Sequence, residues 1–403
     1  MKILIINSGS SSVKFQVFEM ESEQNLCRGR IENIGPHEGK IITKCRKRGR
    51  HVTKRVISSH KQAIEIILET ITSSDFKILD SIHDIDAVGH RVVHGGERFA
   101  GSCIVNSEML EAMETCIELA PLHNPPNILG IRVCQEILPN VPQIGVFDTA
   151  FHQTMHPESF LYGIPYELYE KHGIRRYGFH GTSHMYCSQE AARLMNRPLD
   201  TLKIITCHLG NGASIAAVKH GKSIDTTMGF TPLEGLVMGT RCGDLDPAIV
   251  PFLIEKEHLD HDGINRLLNK ESGVYGLAGI DSYDMRDILK AAEQGHRRSD
   301  LAVRIYCHRI QKYIGAFMAE LGGADGIVFT GGVGENNPII RELALNGLDF
   351  MGIELDADRN ERLETELISR GRVQVFVIST NEELVIAREA RKLVLEAADL
   401  KSV

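Results

Sequence analysis

Apolar and polar positions give the first outline of the chain. After Lys2 comes a run of four apolar residues, Ile3-Leu-Ile-Ile6, then a break at Asn7-Ser-Gly9, then strict alternation in Val13-Lys-Phe-Gln-Val17. Period-two alternation belongs to a strand that buries one face, so this stretch predicts two strands joined by a tight turn. The same design returns 201 residues later, where Lys203-Ile-Ile-Thr-Cys-His-Leu-Gly210 leads into Ser214-Ile-Ala-Ala-Val218. Two hairpins of one design, half a chain apart, predict two related domains.

Elsewhere the periods alternate. A 3.6-residue period predicts helices over 60–73, 107–119, 127–138 and 301–321, the last with an apolar stripe of Leu301, Ile305, Ile310, Ile314, Phe317 and Leu321. Apolar strand patterns cover 86–94, 143–148, 326–330 and 373–379. Helix and strand taking turns favours an α/β fold, and in open α/β sheets ligands collect at the C-terminal ends of strands.

Composition narrows the classes. With 403 residues the chain has room for two domains, and 42% hydrophobic with 24% charged residues is ordinary for a globular protein. A formal net charge of −8 from mixed signs argues against a nucleic-acid or anionic-membrane binder. The basic stretch 40–55 alternates with apolar residues and reads as an exposed hairpin, with an anion or partner site as the lesser reading. Nine scattered Cys without a Cys-x-x-Cys pair fit reduced thiols in a cytoplasm. The apolar run at the N-terminus is too short for a signal peptide and no run approaches membrane-spanning length, so neither export nor a membrane is expected.

Candidate chemistry gathers at the predicted strand ends. Three glycine-rich turns, Asn7-Ser-Gly-Ser-Ser-Ser12, His208-Leu-Gly-Asn-Gly212 and Thr330-Gly-Gly-Val-Gly-Glu-Asn336, each follow an apolar strand. Glycine there lets backbone N–H groups approach phosphate oxygens, and Pro338 predicts that a helix N-terminus follows the third turn. A near P-loop, Gly221-Lys222-Ser223, lies between two alternating strands and reads as a hairpin turn. The pairs His152/His156 and His180/His184 lack metal-site spacing to a third ligand and read as ordinary polar or catalytic histidines. Arg91 sits inside an apolar strand, where a guanidinium needs a counter-ion or an anionic ligand. Near the C-terminus Thr380 and Glu383 have the spacing of a capping box, which leaves Glu382 free as an Mg²⁺ ligand.

These residues carry a resemblance. The segments Asn7-Ser-Gly-Ser-Ser-Ser-Val-Lys14, Gly89-His-Arg-Val-Val-His-Gly-Gly96, Leu119-Ala-Pro-Leu-His-Asn-Pro-Pro126, Phe147-Asp-Thr-Ala-Phe-His152, Tyr177-Gly-Phe-His-Gly-Thr-Ser-His184, His208-Leu-Gly-Asn-Gly212, 229–242, Gly331-Gly-Val-Gly-Glu-Asn336 and Thr380-Asn-Glu-Glu-Leu384 resemble the signatures of the acetate kinase family. The resemblance runs from residue 1 to about residue 390. It implies two ribonuclease-H-like domains of the actin/hexokinase/Hsp70 type with an interdomain active-site cleft. The N-terminal domain would take residues 1–148, completed by a C-terminal helix from about 386 to 403, and the nucleotide-binding domain residues 149–385.

The resemblance also implies the site. Asn7 and Glu382 would hold Mg²⁺, with Mn²⁺ as a substitute. ATP or ADP would meet Lys14, His208, Leu209, Gly210, Asn211, Gly212, Asp284, Met285, Arg286, Gly332, Val333, Gly334, Glu335 and Asn336. Arg91 would bind the acetyl end, with Asp148, His180 and Arg241 catalytic alongside it. The acetate methyl would meet Val93, Leu122, Phe179 and Pro232. A cytoplasmic homodimer is implied. Because acetate is already ionised at pH 7, Asp148 is expected to orient Arg91 or a metal-bound water, not to act as a base. A propionate kinase on the same scaffold and an actin- or Hsp70-like ATPase are the competing readings.

Overall fold

The computed structural model describes residues 1–46, 48–121 and 123–401, which form two compact units. Unit 1 comprises Met1–Phe151 with Asn381–Val403, and unit 2 comprises His152–Thr380. Leu122, expected beside the acetate methyl, lies outside the described residues.

Among the described residues unit 1 holds one mixed sheet. Its strands are β1 (Lys2–Ser8), β2 (Ser12–Glu19), β3 (Gln24–Glu32), β4 (Gly35–Cys45), β5 (Gly49–Ile57), β6 (Ala87–Val92), β7 (Cys103–Ile104) and β8 (Gln143–Phe147), in the order β5-β4-β3-β2-β1-β6-β8-β7. The sheet of unit 2 orders β11 (Lys222–Thr226), β10 (Ala213–Lys219), β9 (Lys203–Leu209), β12 (Gly326–Thr330) and β13 (Gln374–Val377) as β11-β10-β9-β12-β13. The repeat seen in the sequence is a repeat of topology. In each unit an antiparallel hairpin, β1–β2 or β9–β10, is extended on its inner strand by two parallel strands, β6–β8 or β12–β13. Among the described residues, the β4–β5 hairpin and β7 are additions found in unit 1 alone.

Alternation explains the core of unit 1. Val13, Phe15 and Val17 of β2 point with Leu4 and Ile6 into one cluster, which α1 (His60–Thr72) closes with Ile64, Ile67 and Ile71. Helix α2 (Asn124–Ile137) adds Val133 and Cys134 to the same cluster, and its Ile128 and Ile131 join Val92 and Phe147 in a second. The opposite face of the central strands receives the C-terminal helix Glu382–Lys401, whose Val385, Ile386 and Ala387 are buried. A side chain at Gly89 would come within 2.6 Å of Ile386 Cγ2, so close contact between helix and strand requires glycine there.

Several expectations are corrected. Cys27 and Cys45, 18 residues apart in sequence, stand opposite one another in the β3–β4 register and are paired as a disulfide; the other seven cysteines form no disulfide. The capping box at Thr380 is not formed. Asn381 caps the C-terminal helix instead, its Oδ1 accepting from the Leu384 N–H at 3.1 Å, while the Thr380 hydroxyl accepts from Ser183 Oγ at 2.9 Å. Both residues can cap; the tertiary partner of Thr380 decides between them. The third glycine turn is itself helical from Gly331, and the long helix starts at Arg297 with its Leu301 exposed. No helix among the described residues is long and apolar enough to cross a membrane.

Candidate active-site residues

In unit 1 three parallel strands bring their C-terminal ends together. Ile6 pairs with His90, and Val92 with Phe147, so Asn7, Arg91 and Asp148 follow one another across β1, β6 and β8. Arg91 meets Asp148 through both edges of its fork, Nη2 to Oδ2 at 2.7 Å and Nε to Oδ1 at 3.1 Å. Glu382, the first residue of the C-terminal helix, stands 3.7 Å from the same Nη2. The Asp148 carboxylate raises the Arg91 guanidinium above its already high range. Burial pushes the Asp148 carboxyl up, and Arg91 works against that rise. Val93, just past the end of β6, is half-buried.

Asn127 of α2, which sequence reasoning missed, ties these strand ends together. Its Oδ1 accepts from the Val93 N–H at 3.1 Å and its Nδ2 donates to the Ser8 carbonyl at 2.8 Å. Ser8 Oγ and Thr149 Oγ1, next in sequence to Asn7 and Asp148, are buried without a hydrogen-bond partner in the structure. Buried hydroxyls left in that state cost about 1–3 kcal/mol each, and a polar ligand or its water would relieve the cost.

In unit 2 the first candidate is His180, which caps α3 (Gly181–Met195) in the left-handed region at φ 58°. A non-glycine residue held there marks a constrained turn. Its Nδ1 is 2.9 Å from Ser214 Oγ, and its ring stacks on His208 with centroids 4.2 Å apart. Ser214 Oγ also meets His184 Nε2 at 2.8 Å, and Thr206 Oγ1 holds the other nitrogen of His184 at 2.7 Å. Burial keeps His184 neutral, well below its usual range. The chain Thr206–His184–Ser214–His180 thus fixes the catalytic candidate from behind, and Ser214 gave no signal in the sequence. His152 is likewise committed, to Ser223 Oγ and the Phe179 carbonyl.

Arg241 closes on the same glycine turn. A Cβ on Gly212 would lie 3.4 Å from Arg241 Nη1 and 3.5 Å from His180 Cε1, so both side chains border that glycine. Arg241 Nη1 donates to the Pro232 carbonyl at 3.3 Å. Burial lowers its guanidinium pKa, and among the described residues no carboxylate pairs with it. A desolvated cation without a counter-ion is prepared for an anion. Phe179 is buried and Pro232 half-buried nearby in the chain.

A cavity of about 620 Å³ in unit 2 gathers three loops that are far apart in sequence. Gly210 and Asn211, then Asp284, Met285 and Arg286, then Gly332, Val333 and Asn336 line it. Asp284 caps α4 (Met285–Glu293) through the Arg286 N–H, and the Arg286 side chain draws the Asp284 pKa down to about 2. His208, Leu209, Gly212, Gly334 and Glu335 shape the neighbouring backbone but do not line the cavity. Glu335 is occupied by the Gly331 N–H at 3.0 Å and the Ser379 hydroxyl at 2.7 Å. Lys14 belongs to unit 1, on β2. Arg341, fully buried and missed by sequence reasoning, holds the carbonyls of Gly334 and Glu335 at 2.8 and 3.0 Å.

Glycine turns at strand ends, a desolvated arginine and a multi-loop cavity are the equipment of a phosphotransferase. Residues 2–388 match the acetokinase family. The acetate kinase of Alkaliphilus metalliredigens is 54% identical over 98% of this chain and all of that protein. Among solved structures, the acetate kinase of Porphyromonas gingivalis superposes with a TM-score of 0.93 at 44% identity, covering 98% of this chain and 99% of that one. The propionate kinase of Francisella tularensis does so with a TM-score of 0.91 at 43% identity, covering 97% and 99%. The chain belongs to the acetokinase family, enzymes that transfer a phosphoryl group to a carboxyl group.

Proposed function

We propose that the chain transfers the γ-phosphoryl group of ATP to acetate by direct in-line displacement, giving acetyl phosphate and ADP, and runs the reverse reaction on the same residues. The observation that carries the residue assignment is Arg241, half-buried beside His180 and Gly212 with no carboxylate among the described residues to neutralise it. Phosphoryl transfer needs alignment and neutralisation of the equatorial oxygens more than covalent help. Arg241 and Arg91 supply guanidinium forks, and His180 a donor fixed by Ser214. Asp148 aims Arg91. The loops at Gly210–Asn211, Asp284–Arg286 and Gly332–Asn336 receive the nucleotide, with Lys14 on its phosphates.

The donor set fits Mg²⁺. Asn7 and Glu382 offer the hard oxygen atoms that this cation takes as ligands. When bound, the metal neutralises the nucleotide phosphates and holds them as a template. Acetate is preferred because Val93, Phe179 and Pro232 bound its methyl, and the Francisella relative makes propionate the second reading. The enzyme acts as a homodimer in the cytoplasm, and the exposed Ile249, Phe252 and Ile254 supply apolar surface for a second copy. The reverse reaction offers a direct test. ADP, acetyl phosphate and Mg²⁺ should give ATP with the wild type and at least about 10²-fold more slowly with Arg241→Ala. An Arg241→Ala enzyme of near-normal rate would overturn the role of Arg241.

A further inference from the structure

The exposed face of β2 to β5 holds, besides Lys14, charges that the reaction leaves unused. Strand register sets Gln16 opposite Arg28, Arg28 opposite Lys44, and Lys44 opposite Arg50, so three cations stand in one row across neighbouring strands. Lys14 and Arg30 stand opposite one another in an adjacent row. Alternation sends all of them to the face away from the cluster of Phe15, Ile31 and Ile41. Like charges directly opposite on a sheet repel, and a row of three is costly unless an anion settles between them. Arg30 is paired with Glu32 at 2.9 Å, but Lys14, Arg28, Lys44 and Arg50 have no acidic partner among the described residues.

These side chains are not spread on a flat surface. They line a cavity of about 390 Å³ that also takes in Asn7, whose apolar lining includes Ile5 and Ile42, and whose single carboxylate among the described residues is Glu383. A protein of net charge −8 has here concentrated positive charge in a concave site. Such a concave site focuses the field on incoming anions.

We propose that this cavity is a binding site for a small polyphosphate anion, held by Arg28, Lys44 and Arg50 with Lys14 at its edge. The volume admits a few phosphoryl groups, and the two guanidinium forks match phosphate oxygens pairwise. Phe15, its one aromatic residue among those described, is buried, so the described lining offers no exposed ring on which a nucleobase could stack. The cavity shares Asn7 and Lys14 with the reaction proposed above, whereas Arg28, Lys44 and Arg50 take no part in that reaction.

The test is calorimetric titration of the full chain with inorganic pyrophosphate, free of nucleotide and Mg²⁺, at low ionic strength. The comparison is the triple variant Arg28→Ala/Lys44→Ala/Arg50→Ala, whose replaced side chains are all exposed and whose fold is checked by circular dichroism. Saturable binding at one site per chain, weakened about 30-fold or more in the triple variant and by added salt, with kcat and KM for ATP and acetate unchanged, is the expected result. Failure of the wild type to bind, or equal binding by both proteins, overturns the proposal. A triple variant whose KM for ATP rises together with the loss of pyrophosphate binding also overturns it, because the cations would then belong to the reaction site. So does a short DNA duplex that displaces pyrophosphate, since the occupant would be nucleic acid.

Discussion

Asp148 grips Arg91 by two parallel contacts, 2.7 Å at Nη2 and 3.1 Å at Nε, so a carboxylate at the end of one strand fixes the direction of a guanidinium on the next. Its partner cannot release a proton at any accessible pH, and the acceptor carboxylate needs no base. The arrangement is one of aiming. Asp148→Asn should therefore keep the fold and lower kcat by about 10²-fold, with the pH–rate profile between pH 6 and 8 shaped as in the wild type. Arg91→Lys should rescue poorly, because a point charge cannot reproduce the fork. A general-base role would instead show as a limb of the profile that disappears in Asp148→Asn.

The helix that begins at Glu382 separates two roles that sequence reasoning had distributed differently. Asn381→Ala removes the observed cap and should cost about 0.5–2 kcal/mol of stability in a urea melt, with Mg²⁺ dependence near normal. Glu382→Ala should leave the melt unchanged and raise the Mg²⁺ concentration needed for half-maximal rate several-fold. Glu383→Ala, released from the expected capping duty, should not lose the stability that Asn381→Ala loses. Equal Mg²⁺ dependence in Glu382→Ala and wild type would remove Glu382 from the metal site.

How far these features could be read from sequence depends on range along the chain. The two hairpins, the strand ends at Arg91 and Asp148, and the glycine turns at Gly210 and Gly332 are local signals, carried by alternation and by residues that punctuate it. Asn127, Ser214 and Arg341 act through partners 34 residues away from Asn127, 34 from Ser214 and 19 from Arg341. Nothing in their immediate neighbours marks them. The Cys27–Cys45 pair and the cation row at Arg28, Lys44 and Arg50 appear only once strand register is known, because a one-residue slip would turn each side chain to the other face. Thr380 and Asn381 are equally good caps in isolation, and only the Ser183 hydroxyl distinguishes them.

Burial of neutral histidines fixes a dependence of stability on pH. His90, His94 and His152 are held near pKa 4 by burial, and His184 is lowered well below its usual range for the same reason. Their unfolded value is about 6.5, so between these limits the unfolded chain binds more protons than the folded one. Stability is therefore full above pH 6.5 and falls as the pH is lowered towards 4. Urea melts should show proton uptake on unfolding that rises from about two at pH 6.5 to about three or more at pH 5. A flat profile over that window would mean that these rings are not buried in neutral form.

Of the residues proposed around the acetate methyl, Val93 has the best-fixed backbone, half-buried just past Arg91 with its N–H held by Asn127. In the proposed site, Val93→Ala makes room for one more carbon beside a carboxylate held on Arg91. A methylene in an apolar pocket is worth about 10–200-fold in kcat/KM, so the ratio for propionate over acetate should rise at least tenfold, mainly through KM. If the ratio does not move, Val93 does not border the methyl group.

The acyl acceptor is decided most directly in the wild-type enzyme, by trapping the acyl phosphate as its hydroxamate with ATP, Mg²⁺ and acetate, propionate or butyrate in parallel. The account predicts ATP-dependent product from acetate with the highest kcat/KM, a drop of about tenfold or more to propionate, and a further drop to butyrate. A higher kcat/KM for propionate than for acetate, or no acyl phosphate from either acid, would contradict it.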